Sequence, residues 1–167
     1  MQRAEIIALL RQLAERLSQR GLEGEMYVVG GAAIALAFDE RRSTRDIDAV
    51  FEPKQVIYDL ASEIARDEGI ADGWLNDAVK GFMSGPDDEA APILELPGLR
   101  VATASPRILL AMKVLAHRTG EDDDDVRLLA DQLGLATAAD VLAVAAEVYG
   151  DRLDPAARFF VEQIFAV

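Results

Sequence analysis

The chain has no cysteine, one histidine, one tryptophan and only 6% aromatic residues among 167. Without thiols it holds no disulfide, iron–sulfur cluster, zinc finger or cysteine nucleophile, and with His117 alone a Ser-His-Asp arrangement has one place to go. A catalytic metal would therefore be a hard ion held by oxygen. No run of about 18 apolar residues occurs, and Glu5 and Arg11 interrupt the N-terminal stretch where a secretion signal needs apolar residues. The chain reads as cytosolic, with no membrane contact. Basic residues are scarce as well, 17 against 30 acidic, a net charge of −13. That sign argues against an extended surface for nucleic acid.

The deficit is uneven. Residues 1–50 carry seven basic and eight acidic side chains, so nearly all the excess negative charge lies in residues 51–167. Arg41, Arg42 and Arg45 fall within five positions, and an anion could be held there despite the overall sign.

The length suits a single domain that buries roughly two-thirds of its unfolded surface. Ile6, Leu9, Leu10, Leu13 and Leu17 recur at helical spacing, predicting a helix over 3–20 that Gly21 stops. Met26 to Val29 is a β-prone run leading into Gly30-Gly31, and Ala32 to Phe38 has high helix propensity. Asp46 to Phe51 opens with polar and apolar residues alternating, a strand with Asp46 and Asp48 on one face. Pro53 ends it and Val56 to Asp67 returns to helical spacing. Trp74 to Phe82 reads as a short helix, Gly85 to Pro92 as an exposed loop, and Ile93–Leu96 with Leu99–Thr103 as strands joined at Pro97-Gly98. Helices follow over 107–118, 122–133, 138–149 and 155–165, with Ser105-Pro106 as a start and Gly134 and Gly150 as stops. The expected fold is α+β (mixed α/β). A small mixed sheet with flanking helices fills 1–104, and a helical half, 105–167, packs on it within one domain.

Chemistry concentrates around Gly30-Gly31 and Asp46/Asp48. Two glycines between a strand and a helix let backbone N–H groups approach phosphate oxygens at the positive end of the helix. Carboxylates two residues apart on a neighbouring strand suit Mg²⁺ (or Mn²⁺) ions that bridge to a triphosphate. Arg42 and Arg45 lie beside them. Each part alone has a plainer reading, a turn and a solvated strand face. The spacing between the glycines and the acids, enough for one helix and a return, joins them into a nucleotidyl-transfer site.

The stretch GGAAIALAFDERRSTRDIDAVF resembles the signature of the polymerase-β-like minimal nucleotidyltransferases, a glycine pair followed by Ser/Thr-x-Asp-apolar-Asp. With WLNDAVKGF and ASPRILLAMKVLAHR it is similar to small bacterial proteins related to the abortive-infection AbiEii nucleotidyltransferases and the mycobacterial MenT toxins. The resemblance implies Gly30, Gly31, Thr44 and Arg45 at the phosphates and Asp46 and Asp48 on the metals. It implies catalytic roles for Lys113 and Asp122, with Asp125 as second acid of an Arg-Asp-x-x-Asp motif in which Glu121 replaces arginine. Glu95 is a candidate for a third metal carboxylate. The implied reaction moves a nucleoside monophosphate from an NTP to a hydroxyl. The acceptor is a tRNA 3′ end, in a toxin with a partner antitoxin, or a protein; a non-catalytic protein with this fold, paired with another protein, is the alternative.

Lys113 also stands out by itself. Its helix is apolar almost all round, so the ammonium must reach water, find a partner or face a cavity. Asp123 and Asp124 suit the first turn of a helix, and His117 suits a helix end.

Overall fold

The computed structural model describes residues 1–166, which divide into two compact units, residues 1–83 with 89–104 and residues 84–88 with 105–166. Among the described residues no helix is long and apolar enough to cross a membrane.

The first unit is a five-stranded sheet with helices on one face. Its elements are α1 (Arg3–Gln19), β1 (Gly24–Val28), α2 (Gly30–Ala37), β2 (Ile47–Glu52), α3 (Lys54–Glu68), β3 (Leu75–Asn76), β4 (Ala91–Leu96) and β5 (Leu99–Thr103). The strand order is β3-β2-β1-β5-β4. β1 runs antiparallel to β2 and parallel to β5, β3 is parallel to β2, and β4 closes a hairpin with β5. The register shifts between Pro92 and Leu94, where proline has no N–H to give the ladder.

Alternation decides which side of the sheet is core. Met26, Val28, Ile47, Phe51, Leu99 and Val101 are buried, with α1, α2 and α3 supplying Leu10, Ile34 and Ile64 among others. The alternate positions Glu25, Tyr27, Asp48, Val50, Glu52, Arg100 and Ala102 form the opposite face. Polar contacts then fix α1 to α3: Arg16 reaches Glu63 and Asp67, and Arg20 reaches Glu63.

The segment Trp74 to Phe82 departs from the expected helix. It forms two 3₁₀ turns, Asp72–Trp74 and Ala78–Phe82, around the two residues of β3. The indole of Trp74 is buried and donates to the carbonyl of Ala61 at 2.9 Å, and Leu75 and Asn76 pair with Ile47 and Asp48. Tertiary pairing overrides a nine-residue stretch that holds few helical hydrogen bonds and contains Gly81.

The second unit is helical: α4 (Pro106–Ala116), α5 (Asp123–Gln132), α6 (Ala138–Tyr149) and α7 (Pro155–Ile164). Three of the four starts carry a side-chain cap. Ser105, with Pro106 at the first position, accepts from Ile108 N; Thr137 accepts from Asp140 N; Asp154 accepts from Ala157 N. α4 is central, with Leu109, Leu110 and Val114 buried against α5, α6 and α7. It ends two residues before the predicted Arg118. His117 adopts φ 37° and caps α4 through its N–H on Lys113 O, so it is a helix-end residue. Of the adjacent aromatics on α7, Phe160 is core and Phe159 is exposed.

Candidate functional site

In the first unit β1 delivers the chain through Val29 into Gly30, whose φ of 62° opens α2 in a conformation that favours glycine. Val29 N donates to Asp48 O at 2.9 Å, stitching the turn to β2. A β-carbon at Gly30 would lie 3.3 Å from Asp48 Oδ2, and one at Gly31 would lie 3.1 Å from Thr44 Oγ1. Bare backbone thus sits against the carboxylate and the hydroxyl, leaving a cradle that any side chain would fill.

Asp46 precedes β2 and Asp48 lies within it. Both are half-buried, alternating with buried Ile47 and Ala49, so they share the side of the sheet away from α1–α3. Asn76 stands beside the pair: it is the register partner of Asp48, and its Nδ2 donates to Asp46 Oδ2 at 3.1 Å. Thr44 Oγ1 donates to the carbonyl of Asp46 at 3.0 Å, tying the preceding loop to the acid. Arg42 is half-buried and Arg45 exposed in that loop.

The structure therefore gathers Gly30, Gly31, Thr44, Asp46 and Asp48. These donors fit a hard divalent ion, being carboxylate oxygens next to the backbone of a helix start. Among the described residues no three His, Cys, Asp or Glu groups gather to hold a metal. A Mg²⁺ ion on this pair would take its remaining ligands from water and substrate oxygens, as that ion commonly does.

Glu95 is not part of this group, which corrects its assignment as a third metal ligand. It is exposed on β4, opposite Arg100, in the cross-strand row that continues through Glu25 to Glu52. Two intervening strands separate β4 from β2, and Glu52 itself lies four residues along β2 from Asp48, about 13 Å of strand.

The second unit holds the other predicted residues together. Lys113 is 7% exposed and finds partners: its Nζ lies 2.6 Å from Asp122 Oδ1 and 2.9 Å from Asp125 Oδ2. Arg118 adds a two-point contact on Asp122, Nε to Oδ2 at 2.9 Å and Nη2 to Oδ1 at 3.0 Å. Burial pushes the Asp122 carboxyl up, but the hydrogen bonds and charges of Arg118 and Lys113 outweigh it and hold the group below the ordinary carboxylate range. Asp124 is exposed and faces Arg127, and Asp123 accepts from Gly120 N at the helix start.

Asn76 and Arg118 carry parts of these clusters without having been singled out in the sequence. Asn76 lies in WLNDAVKGF, where nothing local announces a two-residue parallel strand. Arg118 is four residues before Asp122, but α4 has already ended at His117, so helical spacing does not describe the pair. A third cluster was also unforeseen. Asp77 accepts from Tyr58 OH at 2.6 Å and faces Lys54 Nζ at 2.6 Å, and these contacts hold its carboxyl down to about 2.

Among solved structures, the fold is similar to that of an antigenic nucleotidyltransferase-like protein from Paracoccidioides brasiliensis. The TM-score is 0.50 at 17% identity, over 97% of this chain and 94% of that one. No curated protein matches the chain. A model of the family described as "Nucleotidyltransferase of unknown function (DUF6036)" matches residues 5–152, and the chain belongs to that family.

Proposed function

We propose that the chain is a Mg²⁺-dependent nucleotidyltransferase that moves a nucleoside monophosphate from an NTP to an acceptor hydroxyl. The observation that carries this reading is the close approach at the glycine turn, where a β-carbon on Gly30 would lie 3.3 Å from Asp48 Oδ2, so that bare backbone stands beside the acid. A phosphate-binding helix start and a metal-binding acid are useful to one another only at such a separation.

Asp46 and Asp48 would hold the ion, which when bound supplies charge to offset that building on the phosphoryl oxygens. The backbone at Gly30 and Gly31 cradles the phosphates, and Arg45, exposed in the adjoining loop, pairs with their outer oxygens. Thr44 and Asn76 hold the Asp46 backbone and side chain in place. The acceptor oxygen bonds to the α-phosphorus as the bond to the β-phosphate oxygen breaks. Pyrophosphate leaves with that electron pair, and the hydroxyl proton passes to a half-buried carboxylate and on to water. Lys113 and Asp122 enter this reading through their own unit, where they fix α4 to α5 and position what those helices carry.

Kinship with the AbiEii and MenT enzymes would make a tRNA 3′ end the acceptor and an antitoxin the partner; a protein hydroxyl accepts by the same chemistry. Isothermal titration of ATP, CTP, GTP and UTP with Mg²⁺ into wild type and Asp46→Ala tests the site. We expect one or more nucleotides to bind wild type and lose at least about tenfold in affinity for the variant, a loss of about 1.4 kcal/mol. Equal binding by the two proteins overturns the assignment.

A further inference from the structure

The face of the sheet that carries Asp48 also carries a groove of about 410 Å³, and its walls say what kind of acceptor fits. Its floor is one cross-strand row, Val50, Tyr27 and Ala102, all half-buried. Val50 is two residues from Asp48 on the same side of β2, so the floor begins about 7 Å along the strand from that carboxylate. One step further out runs the row Glu52, Glu25, Arg100 and Glu95, all exposed. Glu25 and Glu52 are direct partners across two antiparallel strands, a pairing of like charges that costs stability in a sheet. Arg100 is ion-paired with Glu25, which leaves the row with two negative charges in excess.

A polyanion lying in this groove would bring its phosphates onto those carboxylates. A chain bearing lysine or arginine would meet them favourably, while its apolar stems and backbone covered Tyr27, Val50 and Ala102. Resting on the nucleotidyl-transfer reading of Asp46 and Asp48, we propose that the acceptor is a polypeptide rather than RNA. It is held in the sheet groove through cationic side chains that flank the accepting Ser, Thr or Tyr hydroxyl. That oxygen displaces pyrophosphate from the α-phosphorus and its proton leaves through the carboxylates to water. Glu95 and Glu52, with no place at the metal, thereby select the acceptor.

The test uses the full chain and three fluorescent probes: a short lysine–serine peptide, its glutamate–serine counterpart, and a short single-stranded RNA ending in CCA. Anisotropy at low salt should show the lysine–serine peptide bound at least about tenfold more tightly than either other probe, with affinity falling as salt rises. The paired variant Glu52→Gln/Glu95→Gln should lose about tenfold of that affinity while keeping wild-type nucleotide binding and melting no lower than wild type. With NTPs radiolabelled at the α-phosphate, the serine peptide should take the label. Tighter binding of RNA, label on RNA, no peptide binding, or peptide binding that the paired variant leaves unchanged would each overturn the proposal. Peptide binding needs no nucleotide, so its outcome is read separately from a failure of the Asp46→Ala titration, which would instead remove the transfer reaction.

Discussion

Two pairs of aspartates, one in each unit, have similar sequence signatures and opposite surroundings. Asp46 and Asp48 are half-buried beside bare glycine backbone and the amide of Asn76. Asp122 and Asp125 are 1% and 2% exposed and face the ammonium of Lys113, with Arg118 adding a second cation on Asp122. Carboxylates whose charge is already matched within the protein have little to offer a metal ion. A carboxylate such as Asp46, which accepts from the neutral amide of Asn76, keeps its attraction for one. In the function we propose, the environment, more than the spacing of the acids, separates a pair suited to an ion from a pair that ties α4 to α5.

The sharpest way to break that contrast is to remove one charged group from each cluster. Lys113→Ala takes the shared ammonium away from two buried carboxylates, and we expect a loss of about 3–5 kcal/mol in urea denaturation. Hydrogen exchange should localise the loss to α4 and α5. Asp48→Ala, in a half-buried and functional position, should shift stability by no more than about 1 kcal/mol in the same measurement. Equal losses in the two variants would erase the distinction.

Acid provides a second probe of the cationic cluster. The Asp122 carboxyl is held below its ordinary value of 3.8, so the folded state favours its ionised form. Its contribution is therefore fully present above that value and is lost as pH falls through the lower folded one. Urea midpoints measured across this window should decline for wild type and decline less for Asp122→Asn, which starts less stable and has no carboxyl to protonate there. Parallel profiles for the two proteins would mean that the cluster does not set the acid response.

How much of this was legible beforehand depended on whether a residue's partner lay close in sequence. α1 could be read from the spacing of Ile6 to Leu17, and α4 from Ser105-Pro106, because caps and faces are local. The turn at Gly30 and the acids of β2 were legible too, since strand, glycine pair and alternating strand repeat a simple pattern. β3 was not, because two residues hold it together only through pairing with Ile47 and Asp48, nearly thirty positions earlier. Asn76 was hidden for the same reason. The demand that Lys113 find a partner was visible in its apolar helix, whereas the identity of the partners needed the reversal between α4 and α5. Glu95 went to the wrong place because a carboxylate on a strand gives no indication of which row of the sheet it joins.

On the other side of the comparison, Gly30→Ala tests whether the acid pair depends on a bare turn. With φ at 62°, an alanine there is strained by about 1–2 kcal/mol, and its β-carbon would crowd Asp48 Oδ2 at 3.3 Å. We expect a thermal shift of that size together with weaker nucleotide binding. Unchanged nucleotide affinity would detach the turn from the phosphates.

The smallest effect is expected at Glu121, where the resemblance calls for arginine. The side chain is 71% exposed and reaches Arg118 only at 3.6 Å, so Glu121→Arg should change stability by less than about 0.5 kcal/mol. Arg118→Ala should cost more, about 1–2 kcal/mol, because it strips a two-point contact from a buried carboxylate. Combining the two decides what the departure at Glu121 means. Arg118 reaches Asp122 across the break between α4 and α5, a geometry set by the left-handed residue His117 and the turn through Gly120. A guanidinium starting from position 121 projects from an exposed side chain next to Asp122 in sequence and does not share that approach. The double variant should therefore melt with Arg118→Ala. Recovery to wild-type stability would show that the cluster needs a guanidinium from either position, and that Arg118 stands in for the arginine missing at 121.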